Sequence, residues 1–397
     1  MRCRSTDRST TSKPCRSSSS SRRGTPVGGI SLGSQPIPVG LDIGADHVRA
    51  AQLKPSGAGF TLSAYGMVPL PLGAIVEGEI VDVEAVSASI KELWRRFGFH
   101  TKDVSIGVSN QKVVVRLIDL PYMERAELEG AIQYQAQDYI PIPVEDAILD
   151  FQIIGDYMTP ADEHMMEVLL VAAQRDMIGN AVAAVQGAGL KLSQIDVTAF
   201  SIVRALLGSG DAILPDEDDA SDEAVGVIHI SSGLTNIAVV EKHVPRFTRV
   251  SAIAGNQFTQ AIANVLNLTF DEAEELKIRA GLPDIEGGEA PPAEQAVQVA
   301  QDALEREVNK FIAEVRRSLD YYLTQASQIR TIRKIYMTGS GARLLHMAKY
   351  LEKGLQAEVI LTDPLARIQV ASSIQQLVES DRMGCAPAIG LALGGAS

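Results

Sequence analysis

The sequence predicts an α/β protein of two related lobes, each built on a mixed sheet, with an inserted β-β-α-β-β-α subdomain. The hairpin pattern "PVGLDIGADHVRAAQL" at 38–53 returns as "AVGVIHISSGLTNIAVV" at 224–240. Aligning Asp42 with His229 matches the two hairpins residue by residue, which indicates an internal duplication. Between the two hairpins, residues 102–190 show two rounds of strand, strand and helix.

The first half of the chain alternates between strand and helix patterns. After the opening hairpin, "FTLSAYGMVPLP" alternates as a third strand. "VDVEAVSASIKELWRRFGF" has the apolar spacing of a helix that ends at Gly98. In the insertion, two strand patterns precede the amphipathic helix "MERAELEGAIQYQAQDYIP", which Pro141 ends. Two more strands and the helix "DMIGNAVAAVQGAG" complete it.

The second half carries most of the helical pattern. "KLSQIDVTAFSIVRALL" predicts a strand and a helix that begins near Thr198. Helical spacing follows the second hairpin in "NQFTQAIANVLNL", "TFDEAEELKIRAGL" and the long segment that starts at Gln295. "IRKIYMTGSGARLLHMAKYLEKGL" predicts a strand, a Gly-rich turn and a helix, and "PAIGLALGG" a closing helix.

Composition sets the expected boundaries. Residues 1–37 are basic, rich in Ser and Arg and without apolar periodicity, so we expect a disordered tail that contributes nothing to folding. Such a tail could touch a phosphate-rich surface or be a plain solvated extension. The other predicted segments are 38–101 (first part of lobe 1), 102–190 (insertion), 191–212 (lobe 1 continued), 213–223 (acidic linker), 224–256 (phosphate hairpin of lobe 2), 257–329 (helical subdomain), 330–365 (adenosine-loop part of lobe 2) and 366–397 (return to lobe 1).

Size and charge exclude several classes of protein. The chain has 397 residues, of which 46% are hydrophobic and 21% charged, and a net charge of -13. It is long enough for two lobes with sizeable cores. The acidic balance argues against a nucleic-acid partner. No apolar run reaches the length of a membrane span, so we expect a cytoplasmic protein that meets a membrane only through partners.

Small and acidic residues at the hairpin turns indicate a phosphate site. Backbone N–H groups in such turns can approach phosphate oxygens, and carboxylates can hold the waters of Mg²⁺. Asp42 is the candidate on the Mg²⁺ side. Asp196, at a strand end, could orient an attacking water, and "TGSGAR" at 338–343 could lie against a purine. Each motif taken alone is more typical of an ordinary turn.

A family resemblance adds to these motifs. The order of "GLDIG", "IDVTAF", "SSGLTNI", "AGNQFTQAI", "AEELK" and "MTGSGA" resembles that of the actin-like ATPase superfamily. "LPYMERAELEGAIQYQAQDYIPIPVEDAILDF" is the most specific piece, because it resembles the inserted subdomain of the PilM family of type IV pilus assembly. The resemblance covers residues 38–396 and implies an actin-like, two-lobed ATPase fold.

The resemblance also implies roles for individual residues. Asp42 and Asp196 would be the catalytic acids, with Asp42 holding Mg²⁺ through water. Leu128, Ile132 and Tyr139 would line a groove for a partner. The residues implied at bound ATP are Gly44, Ala45, Asp46, Ser231, Ser232, Gly233, Thr235, Gly255, Asn256, Glu274, Lys277, Gly339, Ser340 and Gly341.

Departures from the family pattern weaken the expectation that this chain hydrolyses ATP. The second hairpin has His229 and Ser231 where the family has D-I-G, so one carboxylate on the Mg²⁺ side is missing. Ala45, Asp46 and His47 stand where the family usually has Ser or Thr, and Asp46 would bring negative charge towards phosphate. Ala254 replaces the first Gly of a family turn. We expect these changes to weaken Mg²⁺-dependent hydrolysis more than adenine binding, which leaves at most a slow ATPase.

The implied function is assembly. The resemblance implies a cytoplasmic component of the type IV pilus inner-membrane machinery, and hence of twitching motility, that docks the cytoplasmic N-terminal tail of a PilN-like protein. Contacts with other inner-membrane pilus proteins and self-association are further implied options. Three alternatives stay open: a small-molecule kinase with Asp196 as base, an FtsA-like filament scaffold, and a nucleotide-free pseudo-ATPase scaffold. The degenerate second hairpin counts against the kinase, and the lack of a basic amphipathic end in "GLALGGAS" counts against FtsA.

Overall fold

The structure, a computed structural model, describes residues 37–396 with gaps at 58, 209–223, 243, 286–293 and 326–330. The predicted tail up to residue 36 and the predicted linker at 213–223 lie outside the described residues. The part of the chain that is described belongs to one compact unit, Ile37–Ser397. None of its helices combines the length and the apolar character needed to cross a membrane.

The strands and helices follow the predicted order. The strands are β1 (Val39–Ile43), β2 (His47–Ser56), β3 (Gly59–Pro69), β4 (Ile75–Val76), β5 (Glu79–Ile80), β6 (Asp103–Val108), β7 (Val114–Pro121), β8 (Ala147–Met158), β9 (His164–Gln174), β10 (Lys191–Val197), β11 (Ala224–Ile230), β12 (Thr235–Glu241), β13 (Val244–Ser251), β14 (Ile332–Thr338), β15 (Glu358–Leu361) and β16 (Gln369–Val370). The helices are α1 (Val83–Phe97), α2 (Arg125–Ala136), α3 (Arg175–Gly187), α4 (Thr198–Leu207), α5 (Gly255–Leu266), α6 (Phe270–Ala280), α7 (Gln295–Gln325), α8 (Met347–Leu355), α9 (Gln375–Ser380) and α10 (Ala386–Gly394).

Two mixed sheets form the two lobes. Lobe 1 holds a six-stranded sheet in the order β10-β6-β1-β2-β3-β16, and lobe 2 a five-stranded sheet in the order β13-β12-β11-β14-β15. In each lobe the first hairpin strand pairs antiparallel with the next strand and parallel with a later one. Asp42 lies opposite Arg49 in lobe 1, and His229 lies opposite Asn236 in lobe 2. The duplication inferred from the sequence is therefore repeated in strand order and register.

Local signals in the sequence account for the helix ends. The Asp82 carboxylate accepts a hydrogen bond from the Ala85 amide at 2.9 Å and caps α1, which ends at Gly98 with a φ of 62°. In lobe 2, Thr269 and Glu272 form a capping box that starts α6. The apolar stripes of α5, α6, α7 and α8 then pack on the five-stranded sheet in one buried cluster.

Helix α10 packs closely against both β1 and α4. A Cβ atom at Gly390 would lie 1.8 Å from the carbonyl oxygen of Ser201 on α4, and one at Gly40 would lie 1.9 Å from the carbonyl oxygen of Ala388. No side chain fits at such distances, so glycine is required at both positions. The Gly- and Ala-rich closing segment is a packing element of lobe 1.

The insertion carries a sheet and a core of its own. Strands β7, β9 and β8 form a three-stranded antiparallel sheet, and α2 covers it through a buried apolar cluster. The ends of the predicted range 102–190 belong to lobe 1, because β6 pairs with β1 and β10, and α3 packs against α1. The part with a separate sheet runs from residue 114 to residue 174.

Candidate functional site

A cavity of about 380 Å³ opens between the turns of the two hairpins. The β1–β2 turn and the β11–β12 turn face each other across it, and the loop around β4 and β5 closes one side. Eight of the residues predicted to bind ATP or Mg²⁺ line this cavity: Asp42, Gly44, Ala45, Asp46, Ser231, Gly233, Asn256 and Ser340. The structure therefore brings together both hairpins, the start of α5 and the loop after β14.

Three other predicted residues, Ser232, Thr235 and Gly255, do not line the cavity but form hydrogen bonds next to it. The Thr235 hydroxyl donates to the Ile253 carbonyl at 2.8 Å. The Gly255 amide donates to the Ser231 carbonyl at 3.0 Å, and the Asn256 amide donates to the Ser232 carbonyl at 2.7 Å. These bonds fix the second turn against the N-terminus of α5 and occupy the first two backbone N–H groups of that helix.

Gly339 and Gly341 serve the packing of the loop after β14. Gly339 has a φ of 99°, and a Cβ there would lie 2.3 Å from the Ile230 carbonyl oxygen. A Cβ at Gly341 would lie 2.5 Å from the Ile230 side chain. Both glycines let this loop cross the end of β11, and of this turn it is Ser340 that faces the cavity.

Asp196 lies beside the cavity wall, opposite Gly107 and two residues before Thr198, and its carboxylate already has partners. Its Oδ2 atom accepts hydrogen bonds from both terminal nitrogens of Arg204 at 3.0 Å, and its Oδ1 atom accepts one from the Val197 amide at 2.7 Å. Asp196 is not among the residues that line the cavity. The structure gives this carboxylate a structural partner on α4 instead of a reacting group.

Glu274 and Lys277 also lie outside the cavity lining. The Lys277 ammonium donates to the Glu274 carboxylate at 2.6 Å and to the Thr259 hydroxyl at 2.8 Å. The Gly255 carbonyl oxygen lies 3.4 Å from the same ammonium. The pair thus ties α6 to the first turns of α5, next to the end of the helix that faces the cavity.

Several polar residues at the cavity were not identified from the sequence, among them Arg49, Ser109 and Asn236. Arg49 is buried and donates from Nε to the Asp381 carboxylate at 2.7 Å. The Asn236 side-chain oxygen accepts a hydrogen bond from the Ser109 hydroxyl at 2.7 Å. Arg49 and Asn236 are the register partners of the two aligned hairpin residues, so the duplication was the signal that could have found them.

The two acids at the first turn have pKa values shifted in opposite directions. Burial raises the pKa of Asp42 from its ordinary 3.8 to about 6, against the opposing attraction of Arg49. Burial also acts to raise the pKa of Asp46. The neighbouring His47 ring and the Arg49 guanidinium outweigh it and hold the pKa of Asp46 well below its usual range. Asp46 therefore stays ionised, and Asp42 titrates close to neutrality.

Replacing Asp42 by Asn should stabilise the protein without ligands by about 3 kcal/mol at pH 7. The raised pKa means that the native state keeps a proton which the unfolded chain releases near pH 4. Asp42 therefore costs stability as the pH rises from about 4 to about 6. Urea denaturation of both proteins at pH 4 and pH 7 measures this, and the variant's advantage should fall below about 1 kcal/mol at pH 4. An equal advantage at both pH values would contradict the shifted titration.

The acids at the cavity suit a Mg²⁺ ion held mainly by other ligands. Among the residues that the structure describes, no group of three or more His, Cys, Asp or Glu side chains is placed to hold a metal. Asp42 offers one carboxylate at the cavity wall. Mg²⁺ usually keeps several waters and completes its shell with substrate phosphates. The residues present fit an ion that would arrive with a phosphorylated ligand.

A second cavity, of about 690 Å³, lies between α2 and β8 of the insertion. Ile132, Leu149 and Phe151 give it an apolar floor, and Tyr134 and Ile148 stand at its rim with 76% and 39% of their surface exposed. Two residues predicted to line this groove do not. Leu128 is fully buried beneath α2, and Tyr139 follows the end of the helix and points to solvent. The helical face predicted from periodicity is the one that covers the sheet.

Comparisons with known proteins agree with this architecture. The family described as Type IV pilus assembly protein PilM matches residues 40–396. A solved PilM-PilN type IV pilus biogenesis complex aligns with a TM-score of 0.75 and 26% identity over 91% of this chain and 99% of that chain. The cell division protein FtsA of Pseudomonas aeruginosa is 25% identical over 70% of this chain and 73% of its own length. For FtsA of Enterococcus hirae the identity is 24%, over 61% of this chain and 57% of that protein.

These matches favour the PilM family over the FtsA-like alternative that the sequence left open. The similarity to FtsA is distant and leaves parts of both proteins uncovered. The PilM match covers both lobes and the insertion, and it confirms the predicted actin-like fold with its inserted subdomain. The chain belongs to the PilM family of type IV pilus assembly proteins.

Proposed function

We propose that this chain is a cytoplasmic, nucleotide-binding component of type IV pilus assembly. In this proposal the insertion docks the cytoplasmic N-terminal tail of a PilN-like inner-membrane protein, and this tail holds the chain at the membrane. Family membership and the solved PilM-PilN complex support the assignment. The proposal extends to other inner-membrane pilus assembly proteins as further partners and to self-association.

The single observation that carries the docking proposal is the groove between α2 and β8. Its apolar floor and its partly exposed apolar rim suit a short extended peptide with alternating apolar side chains. Glu129, Asp150 and Arg175 add charges of both signs around it. A short peptide buries little area there, so its affinity should be modest unless several copies act together.

The cleft between the lobes is the proposed site for ATP. The two tight hairpin turns meet at one cavity, and backbone N–H groups in such turns can receive phosphate oxygens. Asp42 would face the Mg²⁺ side. With Asp196 bound to Arg204 and no acid at position 229, the residues support binding more than turnover. Any ATPase activity should therefore be slow.

A charge at the rim of the groove should remove docking without unfolding the protein. We expect Ile148→Asp to weaken binding of a synthetic PilN-like N-terminal peptide about tenfold or more, because the carboxylate must be desolvated against an apolar peptide. The side chain is 39% exposed, so the melting temperature should change little. Fluorescence anisotropy with a labelled peptide measures the affinity.

Ile278→Asp is the matched control for this experiment. Ile278 lies on α6 of lobe 2 and is 72% exposed, so the same substitution adds the same charge far from the groove. This control should bind the peptide as the unchanged protein does. Full peptide affinity in a folded Ile148→Asp variant would exclude this groove as the docking site.

A further inference from the structure

His229 lies at the wall of the cleft with unused hydrogen-bonding capacity. The residue is 4% exposed, and neither ring nitrogen has a hydrogen-bond partner among the residues that the structure describes. Burial, with Arg49 nearby, lowers the pKa of His229 to about 3, so the ring is neutral at physiological pH. A neutral imidazole still carries one N–H donor and one acceptor nitrogen. Leaving such groups buried without partners is costly.

The position of His229 relates it directly to Asp42. The two residues occupy matching places in the duplicated hairpins, opposite Asn236 and Arg49 respectively. All four side chains line the same cavity. Lobe 1 therefore supplies an acid and a cation to the cleft, whereas lobe 2 supplies two neutral polar groups at the equivalent places.

The chemistry of these groups favours a ligand with anionic oxygens. The Asn236 carbonyl oxygen is already occupied by the Ser109 hydroxyl, which leaves the Asn236 amide and the His229 N–H as neutral donors on this side. An apolar side chain would fill the same space without the cost of unpartnered nitrogens. A phosphate oxygen in the cleft would give the ring a partner and end that cost.

We propose that His229 donates a hydrogen bond to a phosphate oxygen of the nucleotide in the cleft, and that nucleotide therefore binds with little dependence on Mg²⁺. This inference rests on the proposed binding of nucleotide. A second carboxylate at position 229 would repel the phosphates unless a cation lay between them. The neutral ring adds no negative charge from lobe 2, and on the lobe 1 side Arg49 lies 3.4 Å from Asp46 and 2.7 Å from Asp381, which offsets part of the charge of those acids.

Calorimetric titration of the full chain with ATP, in Mg²⁺ and in EDTA, tests the inference. The unchanged protein should bind with affinities that agree within about threefold in the two buffers, and His229→Leu should bind about tenfold more weakly in both, as expected for a lost hydrogen bond to a charged group. His229→Asp should bind at least about tenfold more tightly in Mg²⁺ than in EDTA, because its carboxylate needs the cation.

Two further variants keep the result interpretable. His229→Asn retains an N–H donor and should stay within about threefold of the unchanged protein, since a neutral amide can make the same bond. His100→Leu changes an exposed histidine away from the cleft and should have no effect. Melting temperatures without nucleotide show whether each variant is folded.

The outcomes separate the inference from the proposed function. Tight binding that requires Mg²⁺ in the unchanged protein, or full affinity in a folded His229→Leu variant, would overturn the inference and leave nucleotide binding in place. An equal loss in His229→Asn and His229→Leu would also overturn it, since donation would then not be what the ring provides. A complete lack of ATP binding by the unchanged protein would remove the nucleotide proposal as well, while peptide docking would stand.

Discussion

Replacing Arg49 by Met should lower the free energy of unfolding by about 4 kcal/mol. The guanidinium is buried and donates from Nε to the Asp381 carboxylate at 2.7 Å, and the Tyr65 hydroxyl donates to the same oxygen. Without the cation, the Asp381 carboxylate stays buried with little to offset its charge. Breaking a buried pair from one side costs far more than the pair contributes when intact.

The location of this ion pair explains why its loss should destabilise the whole lobe and not one loop. Asp381 lies in the turn that leads into α10, where its carbonyl oxygen also accepts from the amides of Gly384 and Cys385. The ion pair therefore joins β2, in the middle of the lobe 1 sheet, to the helix that packs behind β1. Urea denaturation at pH 7 of Arg49→Met, Asp381→Asn and the double variant measures the effect.

A double variant and a surface arginine serve as controls. Arg49→Met with Asp381→Asn should be clearly more stable than the sum of the two single losses predicts, since no charge is then left unpaired. Arg382→Met removes a cation that bonds Asp363 and Glu379 but is 41% exposed, and it should cost less than about 1 kcal/mol. Equal losses for the two arginine variants would show that burial does not govern this pair.

The repeated hairpin made the fold predictable from the sequence. It fixed which strands pair and placed Asp42 and the second turn at one cleft, because matching strands of a duplicated fold end at matching places. The ion pair between Arg49 and Asp381 could not be found in the same way. Its partners lie 332 residues apart, and no local pattern links β2 to the turn before α10.

Two other residues, Asp196 and Leu128, have different neighbours in the structure from those predicted from the sequence. Asp196 ends its strand as predicted, but Arg204 lies eight positions on, in the following helix, and binds it. Helical periodicity identified the apolar face of α2, on which Leu128 lies. Periodicity does not tell whether a sheet or a peptide covers that face, and in the structure the sheet covers it.

The substitution Gly390→Ala should cost about 3 kcal/mol of unfolding free energy, although alanine favours a helix over glycine by about 1 kcal/mol. The added methyl group would lie 1.8 Å from the carbonyl oxygen of Ser201, which is backbone and cannot rotate away. Helix α10 or α4 must therefore shift. Because α10 also packs on β1, the shift should move Asp42 and weaken binding in the cleft.

Gly179→Ala separates the steric effect from helix propensity. Gly179 is an exposed glycine in α3, and a Cβ there would have no heavy atom within 4 Å. This control should gain up to about 1 kcal/mol, since only propensity changes. Urea denaturation of both variants gives the two free energies, and calorimetry with ATP gives the effect on the cleft. If Gly390→Ala were as stable as Gly179→Ala, the close approach of α10 to α4 would not exist in solution.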